Sequence, residues 1–151
     1  DAMANAGGDD ELIRPNALRR ISEEKEMEKL QELSKRNQKA EEERTELHRT
    51  FEMREVDPAE ARRVVSALVR SAAEDGKHQA LVLQFPSEWC TDGGRAINSF
   101  EPHWPETLTG FAKRGYEYYE KELRPAGYKV RAQIVNYPGG IPGDVGIFLI
   151  W

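Results

Sequence analysis

The sequence has a single cysteine, Cys90, among its 151 residues. One thiol cannot form an internal disulfide, and a zinc site of the CxxC type needs more than one cysteine. We therefore expect a protein of a reducing compartment, located in the cytoplasm. The three histidines are His48, His78 and His103, and no two of them share an element at metal-ligand spacing. Neither a metal nor another cofactor is predicted.

Long apolar runs and basic blocks are also missing. The longest apolar stretches, such as residues 147–151, are far shorter than the roughly 20 apolar residues that cross a bilayer, so no membrane insertion is expected. The formal net charge is -5, and the densest basic cluster (Lys35, Arg36 and Lys39) is followed at once by three glutamates. Because binding to a phosphate backbone requires a basic surface, nucleic acid is not an expected partner.

Residues 11–55 contain no glycine, and their one proline, Pro15, lies near the start, where a helix tolerates it. The segment is rich in both charge signs and in strong helix formers, so it is predicted to be one long charged helix. The apolar residues concentrate after Val56. We therefore expect a disordered N-terminus over residues 1–10, a helical arm over 11–55 and a compact α/β domain over 56–151.

The arm carries a thin apolar seam with heptad spacing, which is typical of a coiled coil. Its a and d positions from residue 30 onward are Leu30, Leu33, Asn37, Ala40, Arg44, Leu47 and Phe51. A helix with so little apolar surface needs a partner, and an asparagine at an a position favours a parallel, in-register dimer. Leu18, Ile21 and Met27 do not fit this frame. The seam predicts a homodimer; the alternative is an arm that lies on its own domain or stays unpaired.

The domain begins with a helix start at Asp57-Pro58 and a helix end at Asp75-Gly76. Its remaining predicted elements are a strand over 78–85, a helix opened by Pro105 and closed by Pro125 and Gly127, an alternating strand over 128–137 and a final apolar strand over 145–151. This order predicts an α+β (α/β-like) fold, a split βαβ unit with a three-stranded mixed sheet. The last strand is expected between two outer strands that run parallel to each other.

Parallel outer strands place the segments that follow them at the same end of the sheet, where ligands usually bind in α/β domains. The glycines of both loops favour a close approach of backbone amides to an anion, and Arg95 supplies a bidentate donor. The predicted ligand-binding residues are Asp92, Gly93, Gly94, Arg95, Gly139, Gly140 and Asp144. The alternative is that the glycines serve turns only and that Arg95 pairs with Asp92 or Asp144 to hold the loops together.

Cys90 and His103, with Asp92 or Glu101, have the membership of a thiol-nucleophile site. The alternative is that Cys90 is a small apolar filler beyond a buried strand. The interpretation favoured overall is an oligomeric interaction or regulatory module, not an enzyme, whose domain presents loops to a protein or a small anionic ligand. A small enzyme or ligand sensor that uses residues 90–103 is the second hypothesis, and a coiled-coil structural adaptor is the third.

Overall fold

The structure, a computed structural model, describes residues 11–151, so the predicted disordered segment 1–10 lies outside the described residues. Its helices are α1 (Pro15–Met53), α2 (Pro58–Glu74), α3 (Arg95–Asn98) and α4 (Gly110–Tyr118), and its strands are β1 (Gln79–Pro86), β2 (Lys129–Ile134) and β3 (Asp144–Ile150). Two compact units are present, one ending at Glu46 and one over Leu47–Trp151. The second unit begins inside α1, earlier than the boundary at residue 56 expected from the sequence.

Helix α1 is continuous, as its charge pattern and lack of glycine predict. No side chain of residues 11–46 is buried, and its leucines remain largely exposed, Leu30 at 60% and Leu33 at 52%. The Lys25–Glu28 ion pair spans 3.3 Å on the exposed surface. Exposed pairs of this kind stabilise a helix by only a few tenths of a kcal/mol. The apolar side chains of this unit therefore remain available for association.

The junction between α1 and α2 has the predicted cap. Asp57 Oδ1 accepts a hydrogen bond from the Ala59 amide at 3.1 Å, and Pro58 occupies the first helical position, where it has no amide hydrogen to leave unpaired. The helix ends where Gly76 adopts a φ of 76°, a conformation that favours glycine. From there the chain enters β1, against which α2 packs.

The sheet has the strand order β1-β3-β2, with the last strand in the centre as predicted. The two outer strands run parallel to each other, but each is hydrogen-bonded only to β3, and both pairings are antiparallel. The sheet is therefore antiparallel and not mixed. Val145 lies between Phe85 and Ile134, and the register of β1 shifts between Leu81 and Leu83, which places a bulge at Val82.

The core lies on one face of the sheet, around Val145 and Leu149, which are 0% and 1% exposed. Its buried cluster consists of Phe51, Phe85, Cys90, Ile97, Leu108, Ala112, Ala132, Ile134 and Val145. These residues come from α1, α3, α4, all three strands, the loop after β1 and the segment that precedes α4. The core therefore fixes both the last turns of α1 and the loop that carries the candidate site.

The third predicted helix begins later than expected. Pro105 belongs to a 3-10 turn (Trp104–Thr107), and α4 starts only at Gly110. The delay arises because Leu108 is extended and Gly110, at a φ of 53°, approaches the backbone of α1. The helix then widens into a π-helical turn over Tyr119–Leu123, whose Tyr119 hydroxyl donates to Tyr128 O at 2.8 Å.

Candidate functional site

The last turns of α1 belong to the core of the Leu47–Trp151 unit. The Phe51 ring centroid lies 4.7 Å from that of Trp89 and 5.4 Å from that of Phe85, and Phe51 is only 9% exposed. The His48 ring stacks on Trp89 with a centroid distance of 4.6 Å. The prediction that Phe51 belongs to an exposed dimer seam is therefore wrong, because its side chain is buried within its own chain. Leu47, one turn earlier, is 64% exposed.

Residues in the first half of α4 contact the backbone at the end of α1. Arg114 Nη1 donates to the carbonyls of Glu52 at 2.8 Å and Arg54 at 2.9 Å, which would otherwise lack helical partners. A Cβ added at Gly110 would lie 2.9 Å from both Glu52 Cα and Phe51 O. These contacts, between residues far apart in the sequence, could not be predicted from local pattern.

In the loop after β1, the Asp92 carboxylate accepts hydrogen bonds from backbone amides of the segment that was expected to face an anion. Its Oδ1 accepts from the Gly94 amide at 2.9 Å and its Oδ2 from the Ala96 amide at 2.9 Å. The Gly93 amide donates to Cys90 O at 3.2 Å. Gly94 is buried at a φ of 86°. The loop thus satisfies its own donors with an internal carboxylate.

Arg95 is exposed, and among the described residues its guanidinium has no hydrogen bond or ion pair. Asp144 instead accepts from Gln84 Nε2 at 3.0 Å and from Asn136 Nδ2 at 3.2 Å. The alternative in which Arg95 pairs with Asp92 or Asp144 is therefore wrong, because neither carboxylate forms an ion pair or hydrogen bond with Arg95 among the described residues, and both accept hydrogen bonds from other donors. Arg95 remains a free cationic side chain on the first turn of α3.

The two loops do meet at one end of the sheet, as the parallel outer strands predict. Tyr137 donates from its hydroxyl to Asn98 Oδ1 at 2.8 Å, and the Ser87 amide donates to Gly143 O at 2.8 Å. Gly139 and Gly140 have φ values of 62° and 80°, and a Cβ at either would meet no atom within 4 Å. These two glycines serve the turn at Pro138–Gly140, where positive φ favours glycine.

Three large side chains stand exposed on these loops. Phe100 is 76% exposed, Ile141 69% and Tyr137 52%. Phe100 also has a φ of 55°, an uncommon backbone conformation for a residue other than glycine. Ile141 was not predicted as a site residue from the sequence, and Phe100 stood only among the aromatic residues from which a partner-binding patch around these loops could form. Their position in segments rich in glycine, proline and asparagine, away from any amphipathic stripe, was the available signal.

The thiol-nucleophile hypothesis does not fit the geometry. The Cys90 side chain is only 5% exposed. Burial raises the pKa of its thiol to about 11; a hydrogen bond with Thr107 lowers this pKa, and the Asp92 charge raises it further. His103 is exposed, and no hydrogen bond joins it to Cys90 among residues 11–151. Because the thiolate is the nucleophile, a buried and protonated thiol is a packing residue.

No protein-family model, curated protein or solved structure matches this chain. Within residues 11–151, no group of histidine, cysteine, aspartate or glutamate side chains could hold a metal ion. In the same range no helix is both long and apolar enough to span a membrane. The functional proposal therefore rests on two surfaces, the exposed seam of α1 and the loop end around Arg95.

Proposed function

We propose that the protein is a homodimeric interaction module in which α1 pairs with α1 of a second copy. The observation that carries the proposal is the exposure of the seam leucines: Leu30, Leu33 and Leu47 are 60%, 52% and 64% exposed. Full burial of a leucine side chain is worth about 1.5–3 kcal/mol, so pairing offers several kcal/mol that a single chain leaves unused.

The seam without Phe51 consists of Leu30, Leu33, Asn37, Ala40 and Leu47, with Arg44 at the remaining a position. Asn37 supports a parallel, in-register pair, because only that arrangement brings the two asparagines together across the seam. A seam this short supports a dimer that dissociates on dilution. Concentration dependence of the mass is therefore part of the proposal.

The test compares two double variants of the same helix by sedimentation equilibrium of the full chain. Leu30→Gln/Leu33→Gln removes two seam positions, whereas Ile21→Gln/Met27→Gln removes two exposed apolar residues outside the heptad frame. We expect the wild type and the control to sediment with twice the mass of one chain, and the seam variant with the mass of one chain. All four substitutions lie on exposed positions, so unfolding of the Leu47–Trp151 unit should be unchanged.

A wild-type protein that stays monomeric at high concentration would contradict the proposal. So would equal loss of dimer in the seam variant and in the control, because that result would assign association to general apolarity of the helix and not to the heptad seam.

We further propose that the loop end binds a protein partner that carries a carboxylate and apolar side chains. Arg95 supplies an exposed cation, and Phe100, Tyr137 and Ile141 add exposed apolar surface on the two loops that the Tyr137–Asn98 hydrogen bond joins. Arginine and aromatic residues are enriched at protein interfaces. A small anionic ligand is less well supported, because Asp92 already accepts hydrogen bonds from the Gly94 and Ala96 amides.

The free, buried Cys90 thiol supports a cytoplasmic location.

The loop proposal is tested with a photo-crosslinking residue introduced in the native cell at Phe100 or, as the control, at Val64, an exposed apolar position on α2. We expect a discrete crosslinked product at Phe100 that is reduced by Arg95→Ala, and none at Val64. The same product from both positions, or a Phe100 product that is indifferent to Arg95→Ala, would contradict a specific site.

A further inference from the structure

An apolar cavity of about 110 Å³ lies between α2, α4 and the inner face of the sheet. Its walls include Ala61 of α2, Leu83 of β1, Ala112 of α4 and Ile147 of β3. Leu83 and Ile147 are register partners, so this part of the wall is formed by adjacent strands. The cavity belongs entirely to the Leu47–Trp151 unit and is separate from the loop end around Arg95.

The walls of the cavity define the chemistry of what it can hold. Among residues 11–151 no charged side chain lines it, and four aromatic residues do: Phe111, Tyr116, Tyr118 and Tyr119. The hydroxyl of Tyr119 is committed to Tyr128 O, so it offers no free donor to a ligand. Water finds few hydrogen-bond partners in such a space, and an engineered apolar cavity of about 150 Å³ in another protein binds benzene.

Gly115 gives independent evidence that the space is kept open. It lies inside α4, where glycine destabilises a helix relative to alanine, and it lines the cavity. A Cβ added there would meet no atom within 4 Å. Backbone conformation does not require glycine at this position either, since Gly115 is not among the glycines with positive φ. A methyl group would therefore fit at this position, and the sequence has glycine there.

The π-helical turn that follows α4 contributes to the same walls through Tyr119 and Leu123. Such turns insert one extra residue into a helix and are found frequently at functional sites. Tyr118, just before this turn, also lines the cavity. Aromatic walls of this kind favour edge and offset contacts with another ring.

We infer that this cavity binds an uncharged molecule of the size of one six-membered aromatic ring. The ligand would pack between the inner face of the sheet and α4, with Gly115 providing the space that a side chain would otherwise fill. The inference does not depend on dimerisation or on the loop end, so its test and theirs can fail separately.

The experiment titrates the full chain with benzene, and in parallel with benzoate, while methyl resonances are followed by NMR. We expect saturable shifts of the Leu83 and Ile147 methyl groups with benzene, no shift of the Leu33 methyl groups in α1, and no response to benzoate. Absence of saturable shifts with benzene would overturn the inference. An equal response to benzoate would overturn the assignment to an uncharged ligand.

A matched pair of variants locates the binding in the cavity. Gly115→Leu should fill the space and weaken benzene binding at least tenfold, and Gly115→Ala should weaken it less while preserving the fold. Lys113→Leu adds the same side chain at an exposed position of α4 and should leave the affinity unchanged. Equal benzene affinities of the Gly115→Ala and Lys113→Leu proteins would overturn the assignment to this cavity. A folded Gly115→Leu protein that binds benzene like the wild type would overturn it as well.

Discussion

The contact between Gly110 and the last turn of α1 gives the sharpest stability prediction. In Gly110→Ala the new methyl group would lie 2.9 Å from Glu52 Cα and from Phe51 O, both backbone atoms that cannot rotate away. A residue other than glycine at this positive φ costs about 1–2 kcal/mol. Forcing the two backbones apart adds roughly 1–3 kcal/mol, as in overpacked cores. We therefore expect a loss of about 2–5 kcal/mol in the free energy of unfolding.

The control is Gly93→Ala. Gly93 also has a positive φ, 69°, but an added Cβ there would meet no atom within 4 Å. This variant should lose only the conformational part, about 1–2 kcal/mol. Urea titration followed by tryptophan fluorescence measures both, since Trp89 lies against Phe51 in the same unit. Equal losses in the two variants would refute the close approach of α4 to α1.

Two further predictions concern the loop after β1. Asp92→Ala should reduce the free energy of unfolding by about 1–2 kcal/mol in urea titration, because the Gly94 and Ala96 amides lose their acceptor; a neutral effect would contradict that role. The pKa of Cys90 is raised from 9.0 to about 11 by burial, so the protonated thiol is favoured in the folded state. Stability that depends on this thiol is present below pH 9 and is lost as the pH rises towards 11. Iodoacetamide at pH 8 should label Cys90 slowly in native protein and rapidly in urea, whereas rapid labelling of the native protein would disprove burial.

Much of the fold could be predicted from the sequence because its signals are local. Asp57-Pro58 caps α2 through adjacent residues, and the two-faced apolar pattern of residues 145–151 identifies a central strand. The position of Phe51 could not be predicted in the same way. A heptad pattern identifies one apolar stripe, but it does not distinguish a side chain that faces a second copy from one that packs into its own domain.

For the candidate site, too, the local features could be predicted from the sequence and the contacts between distant residues could not. The bond from the Gly94 amide to Asp92 is an Asx turn, which the Asp-Gly-Gly sequence favours and which could have been predicted. The meeting of the two loops also followed from the strand order. The partners of Asp144 could not be predicted, because the donor Gln84 lies 60 residues away in the sequence.

The strand order has a consequence for solubility. With β3 in the centre, both outer strands of the described sheet present an unpaired edge, and such edges are the usual route to uncontrolled aggregation. The bulge at Val82 interrupts the β1 edge, and Lys129 and Arg131 place positive charge along β2. Irregular and charged edges disfavour strand-to-strand stacking between molecules. A strand of a second molecule therefore finds little on either outer strand of the described sheet with which to pair.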